Sequence, residues 1–197
     1  MIRDDATVGD RLQAMTVQTE SPDGKIWARV HDYTQLTVGF YPFTYEQYDE
    51  PGLSYQLSRL GILTWVAWSR ERTDIYRRTV DLTTQEAERA PWTEDPARRQ
   101  YDAELNAIEA EGVSAHGALR IRTLGMMQWQ VDIEPHTLRR FDQHTFAGEI
   151  RSAFEALMDD RRRRLIILKS DYFDLGIPRR WRDIMTEARA INSRQRP

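Results

Sequence analysis

The chain contains no cysteine. That excludes disulfides, thiolate metal sites and a cysteine nucleophile, and it fits a reducing compartment such as the cytoplasm. Long apolar runs are also missing. None exceeds the length of Leu165-Ile166-Ile167-Leu168, far short of a bilayer span, so no membrane partner is expected. The opening residues Met1-Ile2-Arg3-Asp4-Asp5 lack the apolar core of a signal peptide. No G-x-S-x-G elbow, Walker-type glycine loop or dinucleotide fingerprint occurs. The four histidines, at 31, 116, 136 and 144, have no helical metal-ligand spacing. No catalytic residue, metal or cofactor is therefore expected, and the reading is of a non-enzyme. There is no excess of positive charge either: 28 Lys and Arg against 31 Asp and Glu leave −3, which does not suggest a general polyanion binder.

What the sequence does have is an internal repeat. Gly24-Lys25-Ile26-Trp27-Ala28-Arg29-Val30 aligns with Gly117-Ala118-Leu119-Arg120-Ile121-Arg122-Thr123 at an offset of 93 (117 − 24). The offset runs without a gap through Gln35/Gln128, Val38/Val131, Pro42/Pro135, Thr44/Thr137 and Asp49/Asp142. Apolar positions follow it, as at Leu36/Trp129, Phe40/Ile133, Leu53/Phe146 and Leu57/Ile150. Two copies are too few for a solenoid. They suffice for a pseudo-dimer, in which one chain supplies both halves of a symmetric object.

Local signals fill in each copy. Residues 1–15 hold a weak amphipathic pattern that suits a short helix, and Val17-Gln18-Thr19 is extended. Ser21-Pro22-Asp23-Gly24 is a turn, with proline presetting the second position and glycine closing it. Strand formers follow at 26–30, and Leu36 to Phe40 alternates as a half-buried strand. A long helix opens at Pro51-Gly52 with Leu53, Leu57, Leu60, Thr64 and Trp68 on one face, running to about Arg89. Gly61 weakens it unless close packing requires a small residue there. Ala90 to Pro96 is the connector, and 97–111 reads as a charged helix. The second copy has strands at 118–123 and 128–133. Its helix is expected to be capped by Thr145 and carries Phe146, Ile150, Phe154, Leu157 and Met158 on one stripe. Arg179 to Ala190 reads as a short helix before a disordered tail.

The expected fold class is α+β: two repeated units, each a β-hairpin or three-stranded sheet plus a long helix, forming an intramolecular pseudo-dimer. The expected boundaries are 1–90 for the first unit, 91–111 for the connector and its helix, 112–175 for the second unit, and 176–197 for a terminal helix and tail. The inner strands should bury Leu36, Val38 and Phe40 in one half and Trp129, Val131 and Ile133 in the other.

The second unit, with Ala118 to Thr123, a glycine turn, Val131-Asp132-Ile133-Glu134-Pro135 and a helix bearing Phe146, Ile150 and Phe154, resembles the YbaB/EbfC-like family of bacterial nucleoid-associated proteins. The first unit, with Ser21-Pro22-Asp23-Gly24 and a strand ending at Pro42, looks like the actinobacterial branch. The resemblance implies DNA association and pairing of units, although relatives usually carry one unit per chain. A further homodimer stays open. The sequence departs from the pattern at Gly39 and Tyr41, where acidic residues are expected, and at Trp65 and Trp68. Similar actinobacterial proteins occur near type VII (ESX) secretion systems, which implies a protein-binding adaptor or chaperone-like role as the alternative.

Two residue sets are candidates for those partners. For nucleic acid they are Arg161, Arg162, Arg163 and Arg164, with Arg179, Arg180 and Arg182, because a guanidinium fork matches phosphate. Four consecutive helical positions point around most of the circumference, so the first cluster is not one flat patch. Asp159-Asp160 beside it reads as a solvated, partly self-paired face. For a protein partner the candidates are the aromatics Trp65, Trp68 and Trp181. Tyr45-Glu46-Gln47-Tyr48-Asp49 contains the Tyr-x-x-x-Asp of type VII export signals. It lies between a strand and a helix, not after a helical hairpin, so it is read as a chance match.

Overall fold

The offset of 93 seen in the residues is also the offset between two halves of the backbone. The computed structural model describes residues 7–32, 34–80 and 96–172. Helix α1 (Val8–Gln13) leads into strands β1 (Thr16–Glu20), β2 (Ile26–His31) and β3 (Gln35–Phe40), a 3-10 turn (Tyr45–Gln47) and helix α2 (Glu50–Val80). Helix α3 (Pro96–Asn106) then precedes β4 (Glu109–Val113), β5 (Leu119–Leu124), β6 (Gln128–Ile133), a short α4 (Thr137–Arg140) and α5 (Gln143–Tyr172). Adding 93 to the first and last residue of each strand in the first half gives those of its counterpart in the second. The sheets are antiparallel, ordered β1-β2-β3 and β4-β5-β6. Their registers agree as well: Thr16 faces His31 as Glu109 faces Leu124, and Ile26 faces Phe40 as Leu119 faces Ile133. The fold is α+β with a repeated unit.

Turn chemistry explains why the copies stay in step. Gly24 and Gly117 both adopt positive φ, at 68° and 67°, which costs glycine nothing. Each donates its N–H to a serine carbonyl, Ser21 or Ser114, at 2.8 and 2.9 Å. The same serines accept the N–H of Ile26 and Leu119 on their hydroxyls, at 3.0 Å in both halves. Asp49 caps α2 through the Gly52 N–H (2.8 Å), and Asp142 caps α5 through the Thr145 N–H (2.7 Å). The cap of α5 is thus Asp142, not Thr145. That cap bond holds the Asp142 carboxyl below the ordinary carboxylate range.

Each helix lies across one strand of its own sheet and one of the other. Helix α2 packs on β1 and β6, and α5 packs on β4 and β3. This exchange is reciprocal, which is the mark of isologous, two-fold packing. One core results, with Ile26, Leu53, Leu119, Phe146 and Leu157 at 0–1% exposure. Phe154 is buried at 7%. Leu36, Phe40 and Val131 are buried as expected, whereas Val38, Trp129 and Ile133 are half-buried and pack against the core. The Tyr45 hydroxyl crosses the seam between the halves to donate to the Phe141 carbonyl at 2.9 Å. Burial, with the carboxylates of Asp142, Glu46 and Glu50 nearby, pushes Tyr45 up to about 12.

One element differs from expectation. Strand β4 begins at Glu109, inside the stretch read as connector and helix, which ends at Asn106. Glu-Ala-Glu-Gly-Val is poor in strand formers. Its strand form is set by packing: any side chain at Gly112 would strike the Ala153 carbonyl oxygen and the Leu157 nitrogen of α5. The Glu111 N–H on the same strand donates to Asp160 of α5 at 3.1 Å. Among the described residues no helix is long and apolar enough to cross a membrane.

Candidate functional site

The two long helices meet at positions 61–68 of α2 and 154–161 of α5, which are equivalent under the offset. Trp65 and Trp68 stack there, with ring centroids 5.2 Å apart at 18°. The Arg72 guanidinium lies 5.6 Å over Trp68 and that of Arg161 lies 5.4 Å over Trp65. Trp68 is 8% exposed and Arg161 only 6%. Both occupy the same place in their own halves, facing the seam, and this is why neither is presented to a partner. Trp65 is half-buried. Under the stack lies an apolar cavity of about 60 Å³, lined from both halves by Gly61, Trp65, Trp129, Ile150, Phe154 and Met158 among others.

The rest of the first arginine cluster is self-paired. Arg162 meets Asp159 at 3.3 Å, and Asp160 takes Arg163 at 3.7 Å and Arg164 at 2.9 Å. Arg162 and Arg163 remain exposed, so their pairs are worth little and are free to exchange for phosphate. Arg164 is more enclosed, and Asp160 also anchors β4. The cluster therefore offers two accessible guanidiniums, not four. Arg179, Arg180, Trp181 and Arg182 lie outside the described residues.

Of the outward positions of the first sheet, only Gly39 and Tyr41 were singled out from the sequence, as departures from the family pattern. The first sheet carries Trp27, Arg29 and Tyr41 on its solvent face. Gly39, directly opposite Trp27 in the register, leaves room for the indole to lie on β3. The Arg29 guanidinium sits 5.7 Å over that ring and donates to Gln18 at 2.7 and 3.1 Å. The Tyr41 hydroxyl donates to Glu20 at 2.5 Å. At the equivalent positions the second sheet has Arg120, Asp132 and Glu134, with Arg120 paired to Glu111 and Arg122 to Asp132. Comparing the two copies position by position is the signal that would have found the first face. Beyond it, Phe43 is 85% exposed at φ 61°, a left-handed conformation uncommon for a bulky residue.

A buried acid stands apart. Glu149, 4% exposed, accepts from the His116 N–H at 3.1 Å and meets its ring nitrogen at 2.6 Å. Burial pushes its carboxyl up, but hydrogen bonds from His116 and Ser114 outweigh that and hold it below the ordinary range. Its role is to staple the second turn to α5. Among the described residues no group of three or more His, Asp or Glu is placed to hold a metal ion. No family model, curated protein or solved structure matches the chain.

Proposed function

We propose that the chain is a non-enzymatic, YbaB/EbfC-like cytoplasmic protein that associates with nucleic acid, DNA in the first place, as an intramolecular pseudo-dimer. The observation that carries this reading is the in-register repeat. The resemblance implies paired units, and reciprocal packing of α2 on β6 and α5 on β3 supplies such a pair within one chain. The accessible guanidiniums of Arg162 and Arg163 support phosphate contact.

The test is binding of a labelled DNA duplex by anisotropy across a salt series. Phosphate-driven association falls steeply as salt rises. No duplex or single-strand binding at low salt would refute it. The alternative is a protein-binding adaptor or chaperone-like module, with type VII (ESX) secretion as its setting. Phe43 favours it, since a fully displayed phenylalanine suits an apolar pocket on a partner. Capture of a partner from the native cell that survives nuclease treatment and is lost in Phe43→Ser would support that alternative.

A further inference from the structure

Arg161 is a buried charge without a counter-charge. It is 6% exposed, and among the described residues its guanidinium meets no carboxylate and no other hydrogen-bond acceptor. The three arginines that follow it are all paired to Asp159 or Asp160. Arg161 has the Trp65 ring instead, 5.4 Å away. A ring attracts the cation but does not satisfy five N–H donors. Burying a charge in that state is costly. The fold does not require it, because the equivalent place in the first half holds an apolar ring, Trp68. Across the Trp65–Trp68 stack, Arg72 lies over Trp68 and also makes no ion pair among the described residues. Two cations thus bracket the stack with no anion between them.

The apolar cavity adjoins this point. Phe154, Met158 and Arg161 stand at i, i+4 and i+7 on α5, one helical stripe. The first two are walls of the cavity, and so is Trp65, beneath the guanidinium. Its one hydroxyl, Thr64, is already bonded to Thr19 and the Leu60 carbonyl, so nothing inside calls for water. Val38, Trp65 and Trp129 among the walls are only half-buried.

We infer that the seam is a binding site for a small aliphatic carboxylic acid, its carboxylate on Arg161 and its chain in the cavity. The proposal is independent of the nucleic-acid reading. A guanidinium fork matches a carboxylate in two parallel hydrogen bonds. A cavity of about 150 Å³ holds the six carbons of benzene, so about 60 Å³ holds roughly two or three carbons beyond the carboxylate. Butyrate has that length.

The test is the thermal midpoint of the full chain, titrated with butyrate, acetate, 1-butanol, butylammonium and butyl phosphate at matched ionic strength. Butyrate should raise the midpoint saturably. Acetate should bind about fifteenfold more weakly, roughly fourfold for each missing methylene. 1-Butanol should be at least about tenfold weaker than butyrate for want of a charge-assisted hydrogen bond. Butylammonium should not bind, and butyl phosphate should bind less tightly than butyrate. Arg161→Met keeps the bulk and removes the charge. It should abolish the butyrate response and raise the midpoint of the unliganded protein by about 2–4 °C. Ala28→Val leaves Arg161 in place and fills the cavity from its wall, so butyrate should fall to the level of acetate. Butyrate that acts no more strongly than acetate or 1-butanol, or that survives either substitution, overturns the site. Tighter binding of butyl phosphate overturns the carboxylate. A lowered midpoint in unliganded Arg161→Met makes the guanidinium a structural staple and overturns the argument from its burial.

Discussion

Replacing Gly61 by alanine should destabilise the protein, although alanine is the better helix former. A Cβ at 61 would lie 2.6 Å from Trp129 Cε3 and 2.7 Å from Cδ2. Comfortable carbon contacts are about 3.5–4.0 Å, so the indole has to retreat by about 1 Å. It is not free to do so, because its Nε1–H donates to the Met126 carbonyl at 2.7 Å. Overpacking costs about 1–3 kcal/mol and the strained hydrogen bond about 1 kcal/mol more. The gain in helix propensity returns only about 1 kcal/mol. The net expectation is a loss of roughly 1–3 kcal/mol. In a Trp129→Leu background the ring is gone, and the same Gly61→Ala change should stabilise by about 1 kcal/mol. Leucine is the natural choice, since Leu36 holds the equivalent place in the first half, with Phe154 equivalent to Gly61. Urea midpoints at unchanged m-values give the four corners of the cycle, with an expected coupling of about 2–4 kcal/mol. If Gly61→Ala stabilises equally in both backgrounds, the two residues are not packed together and the complementary exchange of sizes is wrong.

Phe154→Ala should cost about 3–5 kcal/mol, because the side chain fills the seam beside an existing cavity; an unchanged thermal midpoint would refute its burial. Gly112→Ala should be more damaging than Gly61→Ala, since its Cβ meets helix backbone that has no side-chain freedom to yield; chemical denaturation checks the order. Glu149 has a folded pKa below its unfolded value of about 4.3. Its stabilisation is therefore present above that value and lost as pH falls through the lower folded pKa. Glu149→Gln should flatten the acid limb of the stability profile, and an unchanged limb would show that the carboxylate does not hold the turn.

The repeat was legible because the residues that preserve it are punctuation. Gly24/Gly117, Pro42/Pro135 and Asp49/Asp142 set turns and caps, and turns fix register in antiparallel strands. Gly61 was legible only as an oddity, and Trp129 from the other half explains it. Strand β4 was hidden, because its residues have helical propensity and its conformation comes from contact with α5. The arginine cluster was half legible. Pairing with Asp159 and Asp160 follows from helical spacing. Burial of Arg161 does not, since it depends on a tryptophan almost a hundred positions away. The outward face of the first sheet was illegible in one copy alone, where Trp27 passes for an ordinary strand residue.

Fusing two units into one chain removes a constraint that a homodimer cannot escape. In a homodimer every surface occurs twice, so an aromatic face would appear on both sheets and a charged ladder on neither. Here the seam kept its two-fold logic while its sizes were redistributed, Gly61 with Trp129 on one side and Phe154 with Leu36 on the other. The same freedom acts outside. The second sheet carries paired arginines and carboxylates on its outer face, beside the exposed Val113 and Leu124, and the first sheet carries fewer carboxylates. Two-fold symmetry therefore survives in the backbone where the halves hold each other, and among the described residues it lapses on the outer face of the first sheet, where Trp27, Arg29 and Tyr41 are gathered.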